Sequence, residues 1–516
     1  MSKAISRRGF LVATLAAGAI PVLHGATRAQ GGAKRLVGGT RTIEVNGKPA
    51  GVFSLIGSDN RPGVTLEPGE RFRVDLVNEA GVKTIVHWHG QFPPWNEDGF
   101  PWPQTPPIPR GGTHAYDFAP VSGTFWMHSH QGMQEQRLMA APLIVRDRAD
   151  TLADRQEVVL MLHDFSFRDP DELLAGLTGM TPQAANAMAD ETENAPAPRA
   201  ASAQPPMGPM AMPEGAANGM GMEGMPMGGI TQGGIPAMTM GSGMKMDLND
   251  IDYDAFLAND RTLDDPEIVR VERGGRVRLR IINAASASQF WIDLGAAAGM
   301  LVAADGHDVQ PIRASRFPLA IAQRVDLLID VPRGAAVPVI ATLEGSRRRT
   351  GIIVASPGAH VARIAADATR DAPAVDNSLE AKLTATRPLA RRRPDLVHRI
   401  VLAGGMKPYA WSLNGEYWPK ITPLMLVKGQ RVEIEIINRS MMPHPMHLHG
   451  HAFQVLAVNG RPVSGAVRDT VLVTPMGSVR FAFDADNPGR WAFHCHNLYH
   501  MMTGMMTEFR YRGIAV

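Results

Sequence analysis

One cysteine, Cys495, stands among 516 residues, so no internal disulfide can form. Aromatic residues make up only 6% of the chain. The net charge of +2 leaves no basic footprint for nucleic acid, and no nucleic-acid motif is present. Long apolar runs are missing too, apart from one near the N-terminus that reaches Leu23. That run is short for a bilayer span and is broken by Pro21. A lone thiol is then a reactive group, an intermolecular bridge, a metal ligand or an inert core residue.

Other residue types are plentiful. The chain is too long for one core and implies two to four domains, with 44% apolar residues to pack them. With 52 glycines and 40 prolines, turns are frequent, as in all-β folds. Methionine is abundant at 29. The opening "MSKAISRRGFLVATLAAGAIPVLHGATRAQ" resembles a twin-arginine export signal, with Arg7-Arg8 ahead of the apolar run and small residues near Ala29. The expectation is a signal over 1–29, handled by the twin-arginine machinery, and a periplasmic mature protein with no stable membrane anchor.

The chain repeats itself. "LEPGERFRVDLVN" (66–78), "VERGGRVRLRIIN" (271–283) and "LVKGQRVEIEIIN" (426–438) share one pattern. From Gly69, Gly274 and Gly429 an asparagine arrives nine residues later each time. Apolar and polar residues alternate after each glycine, the period of a half-buried strand. "GTFWMHSH" (123–130) and "GRWAFHCH" (489–496) also align without a gap. Three similar β-domains follow, at roughly 36–147, 155–360 and 372–516. The middle one carries an insertion, about 195–246, rich in Ala, Pro, Gly and Met and without strand periodicity. "DPDELLAGLTGMTPQAANAMADE" just before it reads as a short helix, and "RPLARRRP" (387–394) as a solvated linker.

Four His-x-His pairs stand out among 17 histidines: His87/His89, His128/His130, His447/His449 and His494/His496. Residues i and i+2 of a strand share a face, so each pair presents two imidazoles to one side. Two pairs fall in the first domain and two in the third, at equivalent repeat positions. If those domains face each other, eight imidazoles converge. That is more than one metal needs, and imidazole suits copper, zinc, iron and nickel.

Cys495 then points away from its neighbours, into the third domain. There it would meet His500, Met505 and His444. Two imidazoles, a thiolate and a weak axial thioether are the ligand set of a blue-copper electron-transfer site. In the first domain the same positions read Ser129, Gln134 and Thr84, so that copy keeps the paired histidines and loses the blue site. In the second, "WIDL" (291–294) stands where the first histidine pair was, which predicts a metal-free spacer.

"HWHG", "HSH", "HPMHLHG" and "HCHNLYHMMTGM" together resemble the multicopper oxidase family, and the repeat extends the likeness over nearly the whole mature chain. The resemblance implies three consecutive cupredoxin-like Greek-key β-sandwiches and four copper ions. It implies a type 1 copper on His444, Cys495, His500 and axial Met505, and a type 2 copper on His87 and His447. One type 3 copper would take His89, His128 and His494, and the other His130, His449 and His496. Electrons would pass through Cys495 and then His494 or His496, and four would reduce O2 to water. Asp98 matches the family's acidic proton relay near the type 2 copper. The acid that some relatives carry just after the last type 1 histidine is replaced here by Met501.

The reducing substrate is read as Cu(I), in copper tolerance. The insertion offers soft thioethers, and methionines crowd the type 1 motif, with Met441 and Met442 as candidate ligands of substrate Cu(I). The whole pattern resembles bacterial periplasmic copper-resistance oxidases. The alternatives are a laccase acting on phenols or aromatic amines, and a copper-sequestering resistance protein.

Overall fold

The computed structural model describes residues 32–181, 183–184, 248–272 and 275–514. The segment expected to be an export signal, the methionine-rich insertion and Gly274 lie outside the described residues.

The three repeats form the strands Phe72–Asn78, Arg276–Asn283 and Arg431–Asn438. In the first, Phe72, Val74, Leu76 and Asn78 are buried and the residues between them are half-buried. This is the alternation expected when one face of a strand meets a core. The second is covered on both faces. Arg280 is as buried as Leu279, because Thr124, Asp150, Glu157 and Asp326 close around its guanidinium. Gly69 and Gly429 enter their strands at φ 75° and 89°, a left-handed turn that glycine adopts without strain.

Each of these strands has the same neighbours. A preceding long strand pairs with it in parallel: Lys34–Val45, Gln156–Phe165 and Leu396–Met406. A later strand pairs on the other side in antiparallel fashion: Thr113–Phe118, Arg324–Asp330 and Ser478–Asp484. A second sheet completes each unit. In the first it runs Val64–Leu66, Ala140–Val145, Gly123–Ser129, Val86–His89. In the third it runs Leu424–Leu426, Met506–Tyr511, Arg490–Cys495, His444–Leu448, Thr470–Val473. The inner faces meet in apolar cores; Val74 and Leu76 share one with Phe125, Met127 and Leu143. These are three Greek-key sandwiches in series. In the middle one, Phe290–Asp293 fills the slot of the histidine-bearing strands, and its Trp291 donates to the Pro373 carbonyl. The short helix Pro170–Thr178 forms where it was expected, capped by Asp169 and ended by the left-handed Gly179.

The repeated asparagine does the same work three times. Asn78 donates to the carbonyls of Val82, Ile108 and Pro109, and Asn438 to those of Met442, Val473 and Thr474. Asn283 holds Ser288 and Leu319. Each side chain also accepts from the amide two residues on, at Ala80, Ala285 and Ser440. A buried amide that satisfies a loop's orphan carbonyls fixes that loop. In the first and third sandwiches the loop leads straight into the histidine-bearing strand.

The middle sandwich is more than a spacer. Arg324 is fully buried and spans Asp469 with two hydrogen bonds of 2.7 and 2.5 Å, while its Nε reaches the Thr124 carbonyl at 3.3 Å. One guanidinium thus ties the second sandwich to both others. Asp305 and Arg468 extend this buried ion-pair network to Glu380.

Candidate metal centres

The strand Arg490–Cys495 and the helix Leu498–Met502 that follows bring Cys495 and His500 together, with His444 from the neighbouring strand. Asn497 caps that helix by accepting from the amides of Tyr499 and His500. The Cys495 Sγ lies 3.7 Å from Nδ1 of His444 and 3.7 Å from Nδ1 of His500, and the two Nδ1 atoms are 3.1 Å apart. All three side chains are inaccessible to solvent. The outer nitrogens have polar neighbours as well. His444 Nε2 meets the Ser440 hydroxyl at 2.7 Å, and His500 Nε2 lies 3.3 Å from the Asp250 carboxylate. Second partners of this kind aim metal-binding imidazoles. Met505 is buried beside them, its amide bonded to the His500 carbonyl and its carbonyl to the Cys495 amide. Burial pushes the Cys495 thiol well up, so it gives up its proton only to a strongly bound cation.

The first sandwich shows what replaces this triad. Thr84 and Ser129 both donate to Gln134 Oε1, at 2.7 and 2.8 Å. Hydrogen bonds close the space that a thiolate and two imidazoles occupy in the third sandwich. The repeat had paired these same positions.

The eight histidines of the four His-x-His pairs pack into a single cage between the first and third sandwiches. His87 faces His128 across one strand pair and His447 faces His494 across the other. The two halves meet where His87 Nε2 lies 3.3 Å from His447 Nε2, and His89 stacks on His447 at 3.7 Å. Three groups of converging nitrogens result: His87, His89 and His447; His89, His128 and His496; His130, His449 and His494. The last two correct the sequence reading, which exchanged His494 and His496. Spacing shows that both share a face. Which one leans toward which partner depends on how the two sandwiches dock.

Most ring nitrogens directed outward have an acceptor. His87 Nδ1 meets the Asp98 carbonyl at 2.9 Å, His447 Nδ1 the Asp469 carbonyl at 2.9 Å, and His494 Nδ1 the Cys495 carbonyl at 2.9 Å. His449 Nδ1 donates to the Asp98 carboxylate at 2.7 Å, His128 Nδ1 to Glu135 at 2.7 Å, and His89 Nε2 to Asp469 at 3.0 Å. These bonds place the protons outside and leave the lone pairs facing in. Nδ1 of His89 and Nε2 of His128, His130 and His496 are buried with no hydrogen-bond partner. Converging bare lone pairs repel one another unless a cation takes them, so the residues present fit bound metal. Soft and borderline donors in this mixture suit copper.

Burial holds His89, His128, His130, His447, His449 and His496 well below the ordinary imidazole pKa, and neighbouring imidazoles add to the effect for each. His494 is lowered to about 4, as is His163 outside the cage, in both cases mainly by burial. An unfolded chain takes up these protons as pH falls below about 6.5, and the folded one resists. The metal-free chain should therefore lose stability steadily as pH drops from about 6.5 toward 4. Thermal melts of the metal-free protein across that window measure it; a flat midpoint would contradict the buried neutral cage.

Asp98 lies fully buried in the cage, within hydrogen-bond distance of His449 and 3.3 Å from His87. Met442 is buried, whereas Met441 is 49% exposed. Sequence reasoning missed three carboxylates. Asp469 and Asp250 carry no sequence signal, because each reaches its histidine only through the tertiary fold. Glu135 had one: it lies five residues after His130, the nearest acid to that motif.

Three stretches match multicopper oxidase family profiles: residues 40–150, 220–337 and 391–513. The chain is 29% identical to multicopper oxidase MmcO of Mycobacterium tuberculosis, over 98% of this chain and 96% of that protein. It is 24% identical to a copper resistance protein A homolog of Pseudomonas syringae pv. tomato, covering 92% and 91%. A multi-copper oxidase structure from Pseudomonas thermotolerans superposes with a TM-score of 0.62 at 22% identity, over 92% of this chain and 98% of that one. The three sandwiches are cupredoxin-like domains, and the chain belongs to the multicopper oxidase family. It is a copper-binding oxidase.

Proposed function

We propose that this oxidase takes electrons singly from Cu(I) and passes four of them to O2, forming two waters. His444, Cys495, His500 and Met505 would hold one copper, His87 and His447 a second, and the two groups of three histidines a pair. Bound there, copper supplies the one-electron redox steps and the site of O2 reduction.

The observation that carries this reading is the junction at Cys495. Its sulfur touches the imidazoles of the triad, while its peptide neighbours His494 and His496 stand in the cage. His494 Nδ1 also bonds to the Cys495 carbonyl, a second short link between the centres. Asp98 is the proton-holding group: Oδ2 accepts from His449, and Oδ1 is buried without a hydrogen-bond partner. Asp469 and Glu135 orient His89 and His128.

Several features support Cu(I) as the donor. Relatives named copper resistance protein A align over 92% of the chain. The insertion holds eleven of the 29 methionines. It rejoins the described chain at Leu248, two residues before Asp250, whose carboxylate lies beside His500 and accepts from Asn497. Met441 is exposed next to Ser440, which supports His444. The segment 1–29 would direct export to the periplasm by the twin-arginine route, and 36–147, 155–360 and 372–516 would be the domain limits. Laccases also align, one from Fomitopsis schrenkii at 24% identity over 90% of the chain, which keeps phenols as a second substrate class.

O2 uptake by the copper-loaded protein separates these readings, measured with Cu(I) and with a phenol, with and without residues 200–246. Deletion should lower Cu(I) turnover and spare phenol turnover. Tight Cu(I) binding without O2 uptake would instead make the protein a sequestering one.

A further inference from the structure

Three methionines after the last triad histidine are used by nothing described so far. Met501 and Met502 close the helix Leu498–Met502, and Met506 opens the strand Met506–Tyr511. All three are buried, and all three line one small cavity with Phe100 and His130. Its volume is about 20 Å³, room for roughly one water-sized particle. His130 belongs to the cage and, at 6%, is the most exposed of its eight imidazoles. The cavity therefore lies where the cage comes nearest to solvent.

The lining has a specific chemistry. Among the described residues no carboxylate borders it, so they offer nothing to a hard cation. An apolar conduit for a gas needs only Leu, Val or Phe, which fill the cores elsewhere in this chain. Three thioethers beside an imidazole are instead a soft donor set that prefers Cu(I). His130, whose Nε2 is one of the cage's unpartnered nitrogens, joins the cavity to the cage.

We propose that Met501, Met502 and Met506 form a cuprous-ion site through which the cage is loaded with copper. Cu(I) rests on the thioethers and moves inward by ligand exchange, a thioether leaving as the imidazole of His130 binds. No electron or proton is transferred in this step. The site depends on the copper-binding cage and not on Cu(I) being the electron donor, so it stands or falls apart from the cuprous-oxidase reading.

The test uses the full mature chain carrying Met501→Leu and Met506→Leu, changes that conserve volume and apolarity. Met300→Leu, at an exposed position of the middle sandwich, is the control. Metal-free protein is loaded anaerobically with buffered Cu(I), and separately with Cu(II), and copper in the cage is followed by metal analysis after chelator quench. Silver(I), a redox-silent stand-in, is titrated into the holoenzyme by calorimetry. In the double variant Cu(I) loading should slow about tenfold or more, the size of effect expected when a positioned ligand is lost. Cu(II) loading should not change, and one silver equivalent should disappear. Unchanged Cu(I) loading overturns the proposal, whatever the silver count, and so does equal slowing with both oxidation states. If the double variant does not fold, silver soaked into crystals of the unaltered protein decides: anomalous density in the cavity supports the site and its absence overturns it.

Discussion

Cys495→Ser should remove the intense blue absorption expected of the copper-loaded protein and reduce oxidation of every substrate to background, while the chain remains folded. The absorption requires a thiolate bonded to copper, and a serine hydroxyl keeps its proton at neutral pH and is a poor copper ligand. Folding should survive because the protein already contains this arrangement. Ser129 occupies the matching place in the first sandwich, where its hydroxyl bonds to Gln134. In the variant the new hydroxyl can keep the sulfur's backbone partner at Asn497, and a small ring shift brings an Nδ1 of His444 or His500, 3.7 Å from the sulfur, into reach as acceptor. Visible absorption, copper content and O2 uptake on one preparation check it. A blue or active Cys495→Ser would overturn the electron path assigned here.

Asp98→Asn should lower steady-state turnover by about 10²–10⁴-fold, the usual worth of a positioned acid or base. Copper content should be near normal, since Asp98 is not among the eight histidines and an amide fills the same volume. The two half-reactions separate the causes. Anaerobic bleaching of the blue colour by substrate tests the triad, which lies on the other side of Cys495 from the cage that holds Asp98. It should proceed at the normal rate, whereas reoxidation by O2 should be slow. If bleaching slows equally, Asp98 maintains structure and does not supply protons. The carboxylate's hold on His449 makes that control necessary.

Much of this was legible in the sequence. The three glycine-to-asparagine repeats announced the sandwiches, because alternation after a turn has one physical meaning when it recurs at the same spacing. The His-x-His pairs announced the cage for a similar reason: a strand puts i and i+2 on one face whatever lies around it. Ser129, Gln134 and Thr84 were paired with Cys495, His500 and His444 from the repeat alone, and they do cluster. What stayed hidden depends on docking between sandwiches. The exchange of His494 and His496 is one case. The bridging by Arg324 and the placement of Asp469 and Asp250 are others. Apart from Asp469 with His447 and His449 with His494, each is a contact between residues more than a hundred positions apart, and no local period encodes such contacts.

The cage lies across a boundary, with four of its histidines from the first sandwich and four from the third. Neither sandwich alone offers a complete site. Every copper bound in the cage is therefore also a cross-link, and its binding free energy adds to the cohesion of the whole chain. Metal occupancy and domain docking are thermodynamically linked. A substitution that loosens the Arg324 bridge would register first as copper leaking from the cage, before any sandwich melts.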